Sequence, residues 1–284
     1  MEVVRTIPGT RAAIDALRRQ ALSVGCVPTM GALHEGHLSL VRRARSECDR
    51  VALSIFVNPT QFAPGEDLAK YPRPEARDLE LAEREGVDLA FVPSAEEMYP
   101  PGSATTIRVS GLTDGMCGPF RPGHFEGVAT VVAKLLNLLT PDRAYFGEKD
   151  FQQLQVIRRM ATDLNLPVEI VGCPTVREPD GLAISSRNAY LSSDERRAAP
   201  ALYRALQVGA EVVARGGRGG QAEEAIRAAL AAEPRFQVQY VEARRPDTLK
   251  RDDLPGPPMV IAAAVYLGAT RLIDNVIVPQ RNPG

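Results

Sequence analysis

Histidine is rare in this chain, and its spacing is the first sign of chemistry. Only 3 histidines occur among the 284 residues, and His34 and His37 lie three positions apart. They end the run TMGALHEGH, which begins at Thr29 and which we place between a buried strand and the helix that follows it. Open α/β sheets bind ligands at the carboxyl ends of strands, where a helix N-terminus favours phosphate. We therefore expect both rings to point into one phosphate-binding crevice, with Gly31 and Gly36 letting the backbone pass close to the ligand.

Other interpretations of this run are weaker. A zinc site is one alternative, but the Glu-x-x spacer of the protease signature places its histidines at i and i+4, whereas this run places them at i and i+3. The Lys-Ser/Thr pair of a P-loop and the three spaced glycines of a dinucleotide fingerprint are also missing. The plainest alternative is two solvated histidines at a helix start, and the run by itself leaves that alternative open.

Three later polar groups have simple structural explanations beside the functional ones. Asp150 opens a predicted helix with Gln153 three residues later, so Gln153 is also explained as a capping residue. Lys149 alone is explained as a solvated surface lysine. The triplet Ser185–Arg187 has neither a nearby histidine nor the Gly-x-Ser-x-Gly turn of a serine nucleophile, and we interpret it as a polar lid.

The elements that must position these groups alternate along the first part of the chain. Short apolar runs and amphipathic segments follow one another, which is typical of βαβ units that close a parallel sheet. The predicted strands are 21–28, 51–57, 89–92, 143–146 and 168–176, and the predicted helices are 38–47, 76–85, 128–139 and 150–163. We therefore predict an α/β fold over residues 1–176, a Rossmann-like parallel sheet with helices on both faces.

The remaining residues, 177–284, follow a different pattern. After the polar segment 177–192, helices are predicted over 194–215 and 221–232, and strands over 236–243, 259–267 and 271–278. These elements predict a smaller C-terminal α+β domain. We expect this domain to act as a lid over the site.

Composition argues against several classes of partner. The 34 basic and 35 acidic side chains leave a formal charge of −1, which does not favour nucleic acid or an anionic membrane. No secretory signal is visible, and the longest apolar run, 259–269, is about half the length of a membrane-spanning helix, so we expect a cytoplasmic protein. The cysteines are singly spaced and predict reduced, buried thiols: Cys26, Cys48, Cys117 and Cys173.

Four further motifs, in a fixed order, extend the histidine run into a family resemblance. They are FVNPTQF from Phe56, RPGHFEGV from Arg121, FGEKDFQQ from Phe146 and SSRN from Ser185. The histidine run resembles the HxGH signature of the nucleotidyltransferase superfamily, and the whole set resembles the pantothenate synthetase family. Four ordered motifs over most of the first two hundred residues are far more specific than any one of them. Arg121 and His124 lie in a Gly-rich loop, and we assign them no catalytic role.

The resemblance implies an ATP-dependent ligation of (R)-pantoate to β-alanine through an enzyme-bound pantoyl adenylate, with release of AMP and pyrophosphate. It also implies Mg²⁺ as a cofactor and a homodimer. It assigns catalysis to His34, His37, Lys149 and Arg187, and the binding of pantoate or β-alanine to Gln61 and Gln153. It assigns ATP binding to Met30, Gly31, Ala32, Leu33, His34, Glu35, Gly36, His37, Gly147, Glu148, Lys149, Asp150, Val176, Ile184, Ser185, Ser186 and Arg187.

The residue types suit this chemistry. A carboxylate is already ionised at neutral pH, so its attack on ATP needs positioning and charge neutralisation instead of a base. The amides of Gln61 and Gln153 both donate and accept, as a substrate with a carboxylate and hydroxyls requires. The magnesium ligands stay unassigned among Asp67, Asp78 and Asp150, because magnesium often binds mainly through substrate phosphates and water. The alternatives are another HxGH-type nucleotidyltransferase with a different substrate and a non-catalytic nucleotide sensor.

Overall fold

Residues 1–251 and 254–280 are described by the computed structural model, and their packing separates them into two units. The first unit comprises Met1–Val109, Arg121–Glu148 and Gln153–Pro174. The second comprises Ser110–Phe120, Lys149–Gln152 and the described residues from Thr175 onward. Two short segments that are flanked in the chain by residues of the first unit thus belong to the second unit.

A parallel sheet of six strands forms the centre of the first unit. The strands pair in the order β1-β4-β3-β2-β5-β6, and every neighbouring pair is parallel. The central strands read VGCVPT and RVALSI without polar alternation, because a parallel sheet is buried on both faces. The strands are β1 (Glu2–Val4), β2 (Val24–Thr29), β3 (Arg50–Ile55), β4 (Leu89–Phe91), β5 (Arg143–Gly147) and β6 (Glu169–Cys173).

Helices cover this sheet on both faces. They are α1 (Ile7–Arg19), α2 (Glu35–Glu47), α3 (Glu75–Arg84), α4 (Ala95–Met98), α5 (His124–Leu139) and α6 (Phe151–Asp163). On one face, Val41 of α2 and Ala82 of α3 share a buried cluster with Leu53 of β3. On the other, α5 contacts β2 and α1, and it is apolar almost all round because it is buried on most sides. No helix of residues 1–251 and 254–280 is long and apolar enough to cross a membrane.

The second unit is built on a three-stranded antiparallel sheet. Its strands are β7 (Phe236–Arg244), β8 (Met259–Leu267) and β9 (Thr270–Val278), and its helices are α7 (Ser193–Ala198), α8 (Ala201–Ala214) and α9 (Gly219–Ala231). β8 lies in the middle, and its alternate residues Ile261, Ala263 and Val265 share one buried cluster with side chains of α8 and α9. Helices α8 and α9 meet closely at Gly209, where a Cβ would lie 2.4 Å from Cδ1 of Ile226.

The predicted fold class is confirmed, with three differences in its elements. The single helix predicted over 194–215 is wrong: α7 ends at Ala198, and α8 begins after Pro200, because a proline inside a helix has no N–H to donate. The strand predicted to reach Val176 ends at Cys173. The elements β1 and α1 were not predicted, and β1 adds an edge to the sheet beside β4.

The four cysteines are buried and unbridged, as predicted. Cys26, Cys48 and Cys173 belong to the first unit, and Cys117 belongs to the second. Burial raises the pKa of the Cys26 thiol to about 12. Sγ of Cys117 lies 3.5 Å from Nη2 of Arg271, which donates to it. These thiols therefore serve as core side chains.

Candidate active site

The carboxyl ends of three strands meet at one edge of the first unit's sheet. β2 lies between β3 and β5 and pairs with both in parallel, so the loops that leave these three strands start side by side. Those loops carry the histidine run after Thr29, the segment with Gln61 after Ile55, and Glu148 after Gly147. The candidate residues of the first unit therefore gather at the edge where parallel sheets bind ligands.

His34 and His37 form a stacked pair at the start of α2. His34 is the N-cap of the helix, its carbonyl accepts the N–H of His37 at 2.8 Å, and the two ring centroids are 4.0 Å apart with 25° between the planes. Positions i and i+3 of a helix face the same side, so the spacing brings both rings together. At Gly36 a Cβ would lie 2.9 Å from Cε1 of His34. The glycine thus makes room for a histidine ring, whereas the sequence predicted room for a ligand.

Asp78 of α3 anchors the loop that carries the histidines. Its carboxylate accepts the N–H groups of Ala32 at 2.8 Å and of Leu33 at 2.7 Å. Gly31 and Ala32 have positive φ angles of 80° and 50°, a conformation that turns successive N–H groups toward one anion. Burial raises the pKa of Asp78, although both backbone hydrogen bonds oppose that shift. The carboxylate is committed to the loop backbone, which makes Asp78 unsuitable as a magnesium ligand.

Several of the predicted ATP-binding groups in this loop contact protein. A Cβ at Gly31 would lie 2.9 Å from Oδ2 of Asp78, so that glycine makes room for the anchor. The Leu33 side chain lies in the hydrophobic cluster of the sheet. Glu35 accepts two hydrogen bonds from Arg42, at 2.5 and 3.1 Å, and the first of these contacts lowers the pKa of the Glu35 carboxyl.

Gln61 is held by its neighbours in a defined orientation. Its side chain is 8% exposed, its Nε2 donates to Sδ of Met30 at 3.1 Å, and its Oε1 accepts from Nδ2 of Asn58 at 3.1 Å. Asn58 also caps the short 3₁₀ turn Pro59–Gln61 through its Oδ1 and donates to the carbonyl of Gly127 at 3.1 Å. Met30 and Gln61, predicted from different motifs, are thus in direct contact. Asn58 fixes the orientation of the Gln61 amide on the side opposite Met30.

The start of α5 supports the same loop. A Cβ at Gly127 would lie 2.5 Å from the carbonyl oxygen of Thr60, so only glycine allows the loop to pack against the helix. Buried His124 contacts the carbonyl of Gln61 and Nη1 of Arg121. Arg121 in turn forms a two-point ion pair with Glu66, at 2.8 and 2.7 Å. Burial alone would raise the pKa of Glu66, but the hydrogen bond and the charge of Arg121 outweigh burial and lower it.

Gly147, at the end of β5, has open space where a side chain would begin. A Cβ there would have no atom of the described residues within 4 Å, and its φ angle is not positive. Neither packing nor backbone conformation in residues 1–251 and 254–280 therefore requires glycine at this position. The close approach of a nucleotide, which the family resemblance implies, stays a prediction.

Lys149–Gln152 belongs to the second unit, and Gln153 is the first residue of the next segment of the first unit. The Lys149 carbonyl accepts from Nδ2 of Asn275 on β9 at 2.9 Å, so its backbone is fixed to that unit's sheet. Asp150 ends a 3₁₀ turn and is exposed. Of the two adjacent glutamines, Gln152 is the buried one: it accepts from the N–H of Cys117 and donates to two carbonyls of the segment Ser110–Phe120, each at 2.9 Å. Gln153, predicted as a substrate ligand, lies half-buried in the first turn of α6.

The segment from Val176 to Arg187 is also built on the second unit. The carbonyl of Val176 accepts from the N–H of Ile184 at 3.0 Å and closes a loop between them. Ser185 accepts from the N–H of Arg187 at 3.3 Å and caps the 3₁₀ turn Ser186–Tyr190. This cap accounts for the serine at position 185 without any role as a nucleophile.

Arg177 fixes the base of this segment. It makes two hydrogen bonds with the carboxylate of Asp274 on β9, at 2.6 and 2.9 Å, and its guanidinium lies 3.7 Å from the ring centroid of Tyr203. Asp274 is buried, so this ion pair is shielded from solvent. Arg177 therefore ties the start of the segment that carries Ser185 and Arg187 to β9 of the same unit.

Sequence reasoning missed the residues that hold the ligand candidates in place. Asn58 carried a detectable signal, since an asparagine before Pro-Thr favours a capped turn, but it was quoted only as part of the motif FVNPTQF. Asp78 was predicted only as a candidate magnesium ligand, and Gly127 was quoted only as part of a motif. The supporting contacts of these residues and of Glu66 had no local signal, because their partners lie tens of residues away in the chain. The edge of the first unit combines a histidine pair at a helix start with a buried amide, which suits a phosphate beside a small polar acid.

Comparison with known proteins points to one family. The family model described as pantoate-beta-alanine ligase matches residues 2–277. A pantothenate synthetase from Moorella thermoacetica is 53% identical over 278 residues, which cover 98% of each chain. Another, from Roseiflexus castenholzii, is 55% identical over 278 residues, 98% of this chain and 99% of the relative.

Solved structures give the same result. The crystal structure of pantothenate synthetase from Thermus thermophilus matches with a TM-score of 0.93 and 52% identity, over 99% of this chain and 100% of that chain. A pantoate-beta-alanine ligase from Francisella tularensis, complexed with beta-gamma ATP and beta-alanine, matches with a TM-score of 0.82 and 35% identity, over 98% of both chains.

Proposed function

This chain belongs to the pantoate–β-alanine ligase family, and we propose that it joins (R)-pantoate to β-alanine at the expense of ATP. Pantoate first attacks the α-phosphorus of ATP and forms pantoyl adenylate with release of pyrophosphate. The amine of β-alanine then attacks the acyl carbon, and AMP leaves with the formation of pantothenate.

One observation carries this proposal: the stacked histidines and the Met30–Gln61 contact lie on adjoining loops at one edge of the sheet. A helix start with two imidazoles suits the phosphates of ATP. A buried amide that is already oriented suits the hydroxyls and carboxylate of pantoate. Activation of an acid by ATP needs both groups side by side.

The proposed roles follow from the charge that develops during adenylation. The carboxylate of pantoate needs no base, so His37 donates a proton or a hydrogen bond to the phosphates, and His34 beside it supports that role. Lys149 and Arg187 are proposed as further cations that neutralise charge on the phosphates. Gln61 and Gln153 bind pantoate, and the backbone at Gly147 lies against the nucleotide.

Magnesium is proposed to enter with ATP. Phosphate oxygens and water supply most ligands of such an ion. Asp78 does not fit as a ligand because both of its oxygens bind backbone N–H groups. In residues 1–251 and 254–280, no three His, Cys, Asp or Glu side chains form a cluster suited to a metal. The ion would thus neutralise phosphate charge without a dedicated protein cage.

The second unit is proposed to act as a lid, because it carries Lys149 and the turn Ser185–Arg187.

We also propose a homodimer. Residues 101–106 are exposed, the stretch Thr105–Ile107 is β-branched, and this segment forms no strand with the part of the chain that the structure describes. Such an exposed segment with β-branched residues can pair with another copy. A cytoplasmic location stays a prediction.

Isotope transfer tests the reaction. Pantoate labelled with heavy oxygen in its carboxylate, mixed with ATP and β-alanine, should deliver one labelled oxygen to AMP per turnover, because the bridging oxygen leaves with AMP. ADP as the product, or unlabelled AMP, would contradict the adenylate route. AMP formation with a different acid but not with pantoate would favour another nucleotidyltransferase activity.

A further inference from the structure

The backbone of Gln61 is held by a buried histidine whose protonation state the structure determines. Nδ1 of His124 lies 2.9 Å from the carbonyl oxygen of Gln61. A carbonyl only accepts hydrogen bonds, so Nδ1 must carry the proton and donate it. His124 is 8% exposed, and the contact is therefore shielded from competing water.

Arg121 independently requires the same tautomer. Its Nη1 lies 3.0 Å from Nε2 of His124, and a guanidinium has only donors, so Nε2 must accept. Arg121 cannot rotate away easily, because its other nitrogens form the two-point ion pair with Glu66. Its Nη2 also lies 3.4 Å from the carbonyl oxygen of Gln61. Glu66, Arg121 and His124 thus form a chain of contacts that ends on one carbonyl.

That carbonyl belongs to the residue proposed to bind pantoate. The Gln61 side chain takes its orientation from Asn58, which caps the same turn, so a shift of that turn's backbone would move the amide with it and away from Met30. Gly127 of α5 packs against the carbonyl of Thr60 and Cα of Gln61, and His124 holds the carbonyl of Gln61 on the far side of that Cα. Misplacement of a binding group by a small distance weakens the interaction with the substrate.

We propose that His124 is a positioning residue for pantoate: its Nδ1–H, kept in place by Arg121 and Glu66, holds the Gln61 backbone so that the Gln61 amide meets the substrate. The inference rests on the proposed function, since it requires Gln61 to bind pantoate. It assigns a role to a histidine that touches no substrate itself.

Three substitutions separate the two halves of the imidazole. His124→Ala removes the donor and should raise KM for pantoate about tenfold, the scale of one lost buried hydrogen bond, with KM for ATP nearly unchanged. His124→Asn places an amide near the position of Nδ1, and it should restore much of the pantoate KM. His124→Gln places its amide near the position of Nε2 and should behave like His124→Ala.

Thr130→Val is the matched control on the same helix. It removes the hydroxyl that accepts the N–H of Ile107 at 2.9 Å, a contact that involves neither Gln61 nor His124. We expect a lower melting temperature and an unchanged KM for pantoate. If His124→Ala fails to fold, the comparison of His124→Asn with His124→Gln carries the test.

A double substitution shows whether His124 acts through Gln61. In a Gln61→Ala background, His124→Ala should add no further increase in KM for pantoate, because coupled residues are not additive. Equal increases in the KM values for pantoate and ATP, an additive double variant, or restoration by Gln as good as that by Asn would each overturn the inference. If Gln61→Ala alone leaves KM for pantoate unchanged, the proposed substrate role of Gln61 has failed instead.

Discussion

The stacked imidazoles of His34 and His37 are the side chains that we propose to contact the phosphates of ATP. Their rings lie 4.0 Å apart at the start of α2, where the helix dipole and two ring nitrogens can meet a phosphate together. The i, i+3 spacing accounts for the stacking with or without a ligand. The phosphate role of the pair therefore stays a prediction that substitution tests.

Substitution of either histidine tests that role. His37→Ala should lower the rate of adenylation by about a hundredfold, the usual effect of removing one donor to a transition state, and His34→Ala should act similarly. Pyrophosphate release in a single turnover with ATP and pantoate measures this step. Arg43→Ala, on the same helix and paired with Glu47 at the surface, is the control and should keep full activity. Normal rates in both histidine variants would contradict the phosphate role.

The adjacent glutamines Gln152 and Gln153 give a second test at the residue scale. Gln153→Ala should raise KM for pantoate about tenfold with little change in stability, because its amide is proposed to bind substrate. Gln152→Ala should instead lower the free energy of unfolding by about 1–3 kcal/mol, since it leaves buried backbone groups without partners. Steady-state kinetics and urea unfolding of both variants measure these effects. A stability loss in Gln153→Ala without any change in KM would show that Gln153 is only a capping residue.

At the scale of elements, the loop between β2 and α2 depends on a carboxylate from α3. Asp78 accepts the N–H groups of Ala32 and Leu33, and it holds two residues of positive φ in place. The histidine pair is therefore positioned by a helix that begins 38 residues after His37. A substitution in α3 that releases this loop should therefore weaken the binding of ATP.

Asp78→Asn should destabilise this loop. Asparagine offers one acceptor and turns a donor toward an N–H, so we expect a loss of about 1–3 kcal/mol in the free energy of unfolding and a higher KM for ATP. Because burial raises the pKa of Asp78 above 3.8, the folded state binds more protons than the unfolded state just above that pH. The stability difference between the native protein and the variant should thus narrow as pH rises above 3.8. Urea unfolding of both proteins from pH 3.5 upward measures this difference in the free energy of unfolding. A difference that widens as pH rises would contradict a raised pKa of Asp78.

The elements themselves were largely predictable, and their long-range partners were not. Apolar periodicity located five of the six parallel strands and the helices α2, α3 and α5 within a few residues. It failed at Pro200, where backbone chemistry overrides the apolar pattern of α8. Family motifs supplied His34, His37 and Gln61, but no local pattern indicated that Asp78 or His124 would hold them, because those contacts arise only when distant segments pack.

At the scale of the whole molecule, the candidate residues are divided between two units. The first unit carries the histidines and Gln61, and the second carries Lys149 and the turn with Arg187. Sequence patterning did not reveal that segments 110–120 and 149–152 join the second unit. Their chain positions fall inside the first unit, and only packing shows where they belong.

If the second unit closes over the site as a lid, the adenylate intermediate should be protected from water. With ATP and pantoate but no β-alanine, pantoyl adenylate should accumulate to about one molecule per active site, because a closed site keeps water from the activated acid. Rapid quenching with radiolabelled pantoate measures the bound intermediate. Continuous release of free AMP and pantoate under these conditions would show that water enters freely and that the second unit does not act as a lid.

The distribution of the cysteines has a practical consequence. Cys117 is the single cysteine of the second unit's described residues, whereas Cys26 lies in the central strand β2 of the first. Both are buried, so alkylating reagents can reach them only when the surrounding structure opens. Mass spectrometry of timed alkylation would thus give a separate opening rate for each unit without any engineered label. Addition of ATP and pantoate would then report which unit the substrates stabilise.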